Sequence, residues 1–208
     1  LKSNKFKYRK MLKLKRKELV IALLPGSRMG ELKAHTDTLL ETAQNLLEVH
    51  PDAKFLIPAT NDKNVNFVKG RIRNNPTKNL KLIKGKVDEI LSSANIAIAA
   101  SGTASLQIAL HKKPMIIIYK GSWISYFIWK MVRLIPNVSL PNILLQENFV
   151  PEMLQHRATP NLLSEKACEI IKDKKYLKKI ESKFKKLHKV LKRDTSSLIF
   201  KIIKPYLK

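Results

Sequence analysis

Two stretches constrain this chain most: Leu23-Leu24-Pro25-Gly26-Ser27-Arg28-Met29-Gly30-Glu31 and Ala100-Ser101-Gly102-Thr103-Ala104-Ser105-Leu106-Gln107. In each, an apolar run (Leu19 to Leu24, Ile96 to Ala100) gives way through Gly and a hydroxyl residue to a helical pattern. A strand that ends this way leaves backbone N–H groups free at the start of the helix, where they suit a phosphate. One such junction is also an ordinary tight turn. Two of them predict an open α/β sheet with a ligand crevice at its strand C-termini. Arg28 adds a fixed cation to the first junction.

The intervening pattern agrees. Strands are predicted at 18–24, 53–57, 79–83, 96–100 and 114–119, and helices at 31–50, 63–73, 87–93 and 103–111. Alternation of this kind implies a parallel sheet of the Rossmann-like type. A Pro and Asn cluster (Pro136, Asn137, Pro141, Asn142) then precedes helices running from Pro160 to the end. The expected organisation is a basic lead-in at 1–17, readable as an interdomain linker rather than a folded start. A nucleotide-binding domain at 18–160 and C-terminal helices at 161–208 follow it. The chain reads as a truncated, split or decayed gene product.

The net charge of +25 at 208 residues needs a partner or a compositional cause. Nucleic acid, an anionic membrane face and a plain preference for Lys on solvated faces all account for it. Nucleic acid has the least support, because aromatics are few among the Lys residues and no nucleic-acid motif is present. No run reaches the ~18 uncharged apolar residues of a membrane span. The aromatic segment Trp123 to Ile135, with Trp123, Phe127, Trp129, Lys130 and Arg133, fits an interfacial membrane contact, a cap on the core or a packing face for a missing partner domain. The single cysteine, Cys168, excludes an internal disulfide and a Cys-based metal site, and suits a cytoplasmic setting.

The chain lacks Gly-x-x-x-x-Gly-Lys-Ser/Thr, Gly-x-Gly-x-x-Gly, His-Glu-x-x-His and Gly-x-Ser-x-Gly motifs. No metal and no cofactor are expected. A metal-free phosphate site must rely on N–H groups and on Arg or Lys to hold leaving-group charge. Gly26, Ser27 and Arg28 form one half of the expected site, with Glu31 orienting Arg28 or favouring the first helical turn. Ser101, Gly102 and Thr103 form the other, and Gln107, one turn on, is placed to reach a ribose hydroxyl.

These residues, in order, resemble the C-terminal half of lipid-A-disaccharide synthase. So does the later run Val138-Ser139-Leu140-Pro141-Asn142-Ile143-Leu144, followed by Pro151-Glu152-Met153-Leu154-Gln155. The resemblance runs from about Leu19 to Leu163. It implies the C-terminal, UDP-binding domain of a GT-B glycosyltransferase. Such an enzyme transfers diacylglucosamine from UDP to diacylglucosamine 1-phosphate, with inversion and without a metal, at the cytoplasmic face of the bacterial inner membrane. The implied partners are UDP-diacylglucosamine, diacylglucosamine 1-phosphate and the anionic membrane. It further implies that Gly26, Ser27 and Arg28 face the diphosphate, Ser101 to Thr103 the phosphate and ribose, and Asn142 and Glu152 the crevice wall. The family usually carries Glu where this chain has Gln107, so a carboxylate there is expected to bind the ribose more tightly.

The general base is expected in an N-terminal domain that this stretch does not contain. A separately encoded half or a second copy of the chain would have to complete the cleft, and the chain alone is expected not to catalyse. Two alternatives stand beside this: another UDP-sugar enzyme of the same architecture, and a basic, non-catalytic remnant that binds membrane or nucleic acid.

Overall fold

A strand in which every residue is apolar has no face to offer water, so helices must cover it on both sides. Val20–Leu24 and Ile96–Ala100 are such strands, buried along their whole length. A computed structural model of the chain describes residues 5–121 and 137–192. It begins with α1 (Lys5–Met11), β1 (Val20–Leu24), α2 (Met29–Val49), β2 (Lys54–Ala59), α3 (Asp62–Asn74) and β3 (Leu80–Lys84). Next come α4 (Val87–Ser93), β4 (Ile96–Ala100), α5 (Ala104–Leu110) and β5 (Met115–Tyr119). Beyond residue 136 lie α6 (Leu140–Leu145), β6 (Glu152–Leu154), a 3-10 turn (Gln155–Arg157), α7 (Pro160–Lys172) and α8 (Lys174–Leu191).

The strands form one parallel sheet in the order β3-β2-β1-β4-β5-β6. Alternate residues feed two apolar layers. Val20, Ala22 and Leu24 meet Ile90 and Leu91 of α4, Ile108 of α5 and Ile180, Phe184 and Leu187 of α8. Ile21 and Leu23 meet Leu32, Leu39, Leu40 and Leu46 of α2, Val68 of α3 and Leu163 and Ile170 of α7. The C-terminal helices therefore close the cores on both faces of the sheet.

The expected elements through Tyr119 are present, with ends displaced by a residue or two. Pro58 does not close β2 as expected. The β1 register ends at Leu56, so the missing N–H of Pro58 removes no bond on that side, while pairing with β3 continues to Ala59. The short edge strand β6 carries too little pattern to be read from sequence.

The basic lead-in is the main correction, because its described part is folded against the sheet. Leu12 and Leu14 enter the core, and Arg9 is only 2% exposed. Arg9 has no carboxylate partner among its hydrogen bonds. Its Nε donates to the Ser93 carbonyl (3.0 Å), and Nη2 donates to Asn95 Oδ1 (2.7 Å). Its Nη1 donates to the carbonyls of Lys15 (3.1 Å), Arg16 (2.9 Å) and Glu18 (2.9 Å). Lys113 Nζ adds bonds to the carbonyls of Ser92 and Ala94, both 2.9 Å, so two cations collect at the negative end of α4. Burial, then the charges of Lys5 and Arg9, push the Lys113 ammonium down to about 7.

One guanidinium thus ties the lead-in to the end of α4 and the start of β1. Arg9→Ala would leave several buried oxygens without donors, and Arg9→Lys cannot reproduce the fork. Both should lower unfolding stability by about 3 kcal/mol or more in urea titrations. A loss below about 1 kcal/mol, within the range of a surface change, would show that the lead-in is not anchored by Arg9.

Candidate functional site

Strand order reverses between β1 and β4, and their C-termini lie side by side, with Leu24 opposite Ala99. The two Gly-containing junctions therefore open onto one crevice, as expected at a switch point of an α/β sheet. The cleft has a volume of about 320 Å³. Gly26, Ser27, Arg28 and Glu31 of the first junction and Ser101, Gly102, Thr103 and Gln107 of the second line it, together with Thr60 and Val87.

The first junction is internally capped. Gly26 sits at φ +116°, and a Cβ there would collide with the Glu31 side chain, so glycine is required twice over. Glu31 Oε2 accepts from the N–H groups of Ser27 (2.8 Å) and Arg28 (3.3 Å), while Oε1 meets Arg28 Nη1 at 3.3 Å. Partial burial works to raise the Glu31 carboxyl, but these bonds outweigh it and hold the group below the usual range. The N–H groups expected to be free for phosphate are thus occupied by the chain's own carboxylate. The Arg28 side chain, paired with Glu31, remains 86% exposed. Asn64, absent from the sequence-read site, fixes the loop by donating to the Ser27 carbonyl at 2.8 Å.

The second junction is open. Among the described residues, no acceptor faces the N–H groups of Gly102, Thr103 or Ala104. Gly102 adopts φ +150° with empty space where a Cβ would project, so its requirement is conformational. The Ser101 hydroxyl donates to the Val138 carbonyl at 2.9 Å and ties the junction to the segment ahead of α6.

Gln107 reaches the cleft as expected, but not alone. Its Nε2 donates to Asp88 Oδ1 at 3.0 Å, and the same oxygen meets His111 Nε2 at 2.9 Å. The other ring nitrogen of His111 lies 3.1 Å from Ser92 Oγ. The bonds from His111 and then Gln107 hold the Asp88 carboxyl below its usual range. Asp88 with Ser92, and Gln107 with His111, are each spaced one helical turn apart, which was the available sequence signal. Their meeting across two helices is a tertiary fact.

Asn142 and Glu152 are placed differently from expectation, because neither lines this cleft. Asn142 is fully buried, with Nδ2 donating to the Val150 carbonyl (2.9 Å) and Glu152 Oε1 (2.8 Å). Its Oδ1 accepts from Phe149 and Val150 N–H at 3.1 and 2.9 Å. Glu152 accepts from the N–H groups of Val138 (2.9 Å) and Ser139 (3.0 Å) and from the Ser139 hydroxyl (2.7 Å). Together they clamp the 138–152 segment, which in turn holds Ser101. His35 is a second brace. Its Nε2 accepts from Lys120 N–H at 3.0 Å, so its Nδ1–H donates to the Pro25 carbonyl at 3.1 Å. Burial, the largest influence, holds the His35 pKa below its usual value. Trp123, Phe127, Trp129, Lys130 and Arg133 lie outside the described residues.

Similarity to solved structures confirms the architecture. The chain superposes on the C-terminal domain of a group 1 glycosyltransferase from Francisella tularensis with a TM-score of 0.61 at 14% identity, covering 90% of this chain and 92% of that one. It matches WaaG, a glycosyltransferase involved in lipopolysaccharide biosynthesis, with a TM-score of 0.58 at 13% identity, over 93% of this chain and 48% of that one. At such identities the likeness speaks for the GT-B fold alone.

Sequence similarity goes further. The chain is 34% identical over 202 residues to a lipid-A-disaccharide synthase of Methylobacillus flagellatus, covering 96% of this chain and 53% of that protein. It is 37% identical over 200 residues to the corresponding protein of Dechloromonas aromatica, covering 94% of this chain and 52% of that protein. The chain therefore spans about half the length of these relatives. The family model of lipid-A-disaccharide synthetase matches residues 1–203, taking in the lead-in and the C-terminal helices as well as both junctions, and the chain belongs to that family.

Proposed function

We propose that this chain binds the UDP moiety of a sugar donor, as the donor half of a glycosyltransferase that makes the lipid A disaccharide. The observation that carries the reading is the convergence of Arg28 and the open Gly102–Ala104 N–H groups on one cleft. A diphosphate between them receives charge-assisted hydrogen bonds worth roughly 1.5–3 kcal/mol each. In transfer of diacylglucosamine from UDP to diacylglucosamine 1-phosphate, negative charge grows on the departing UDP. The same donors would stabilise it without a metal ion. Ribose is assigned to Gln107. The general base and acceptor wall are assigned to the part of the relatives' length that this chain does not span, supplied by a partner half.

Both lipid substrates partition into a bilayer, so the reading includes docking on an anionic membrane surface. No described helix is long and apolar enough to cross a membrane. α8 instead presents exposed Lys174, Lys178 and Lys189 on the side opposite its buried Ile180, Phe184 and Leu187. Lysines near an anionic surface contribute roughly 1 kcal/mol each, reduced by salt.

Two measurements check these assignments. In calorimetric titration with UDP, Arg28→Ala should weaken binding at least tenfold, about 1.4 kcal/mol. Unchanged affinity would make Arg28 a plain surface cation. In sedimentation with phosphatidylglycerol vesicles at low salt, changing Lys174, Lys178 and Lys189 together to Gln should cut association at least tenfold. Equal binding by the altered chain would remove α8 from the docking face.

A further inference from the structure

The hydrogen bonds behind Gln107 have a defined direction where they meet Asp88. Asp88 is held ionised and can only accept. Both Gln107 Nε2 and His111 Nε2 therefore donate to it, at 3.0 and 2.9 Å. The other ring nitrogen of the buried His111, Nδ1, pairs with the Ser92 hydroxyl 3.1 Å away and fixes the ring plane. The Gln107 amide is consequently locked in one orientation. Turning it over would set its carbonyl oxygen against a carboxylate oxygen. What remains is Gln107 Oε1 as a fixed acceptor, beside the second N–H of Nε2.

We propose that Asp88 is a positioning residue for the donor site: it presents Gln107 Oε1 to a ribose hydroxyl and makes glutamine, not glutamate, the fitting residue at 107. This rests on the UDP-binding reading above. A carboxylate at 107 would stand about 3 Å from that of Asp88, and two such groups cannot both remain ionised in place. One must take up a proton or swing out of the cleft, and either removes the aligned acceptor. The expectation that Glu at 107 binds ribose more tightly is thereby reversed for this chain. Asparagine at 88 would restore the match: its amide donates to a glutamate at 107 while His111, carrying its proton on Nδ1 toward Ser92 Oγ, accepts at Nε2.

The test is calorimetric titration of the chain and its variants with UDP and with 2′-deoxy-UDP. Asp88 is 61% exposed at its side chain, so its substitution need not disturb the core, and thermal melts verify folding. Gln107→Glu should weaken UDP binding at least tenfold, and adding Asp88→Asn should return affinity to within about threefold of the unaltered chain. Asp88→Ala should narrow the preference for UDP over 2′-deoxy-UDP at least threefold, a ratio that a purely structural role would not move. UDP binding that is unweakened by Gln107→Glu, is not rescued by the second change, or keeps its ribose preference in Asp88→Ala overturns the inference and leaves the donor-site reading standing. Failure of the unaltered chain to bind UDP overturns both.

Discussion

The pairing of β1 with β4 is the constraint on which the site depends. Ile21 lies opposite Ile96 and Leu24 opposite Ala99, so two runs far apart in sequence end at the same level. Packing on both faces holds the register, because a slip by one residue would exchange the small Ala97 and Ala99 of one layer with Ile96 and Ile98 of the other. From this pairing follow the shared cleft and the presence of Arg28, Gly102 and Gln107 in its lining.

The two junctions look alike in sequence and behave differently. At the first, Glu31 occupies the N–H groups of Ser27 and Arg28, so the loop carries its own anion. At the second, the N–H groups of Gly102 to Ala104 face no acceptor among the described residues. A phosphate bound as proposed would meet ready donors on one side and, on the other, the exposed Arg28 guanidinium together with a carboxylate that must yield. Glu31 keeps the first loop ordered without ligand, and its charge opposes a second anion there. Around this centre the buried polar groups act as braces. Asn142 and Glu152 clamp the segment that holds Ser101, His35 joins the ends of β1 and β5, and Asn64 pins the Ser27 carbonyl.

The sequence made the alternation of strands and helices legible because fully buried parallel strands read as unbroken apolar runs, as Ile96 to Ala100 does. Gly26 and Gly102 were legible because each stands where an apolar run gives way to a helical pattern, and the same junction occurs twice. Three features were hidden for physical reasons. Arg9 is held by carbonyl oxygens, which every residue possesses, so no partner residue type announces its burial. Asn142 and Glu152 fit a crevice or a clamp equally well until their distances are known. Asp88 acts through Gln107 across two helices, and the helical spacing within each gives no sign that they meet.

The central claim is that UDP sits between the junctions after β1 and β4. Amide chemical-shift mapping during a UDP titration tests it most directly. The account predicts that the largest shifts fall on Ser27, Arg28, Gly102, Thr103 and Ala104, with Gln107 side-chain amide signals moving in step. Shifts concentrated instead at the opposite pole of the sheet, around Lys17, His50 and Lys54, would contradict it.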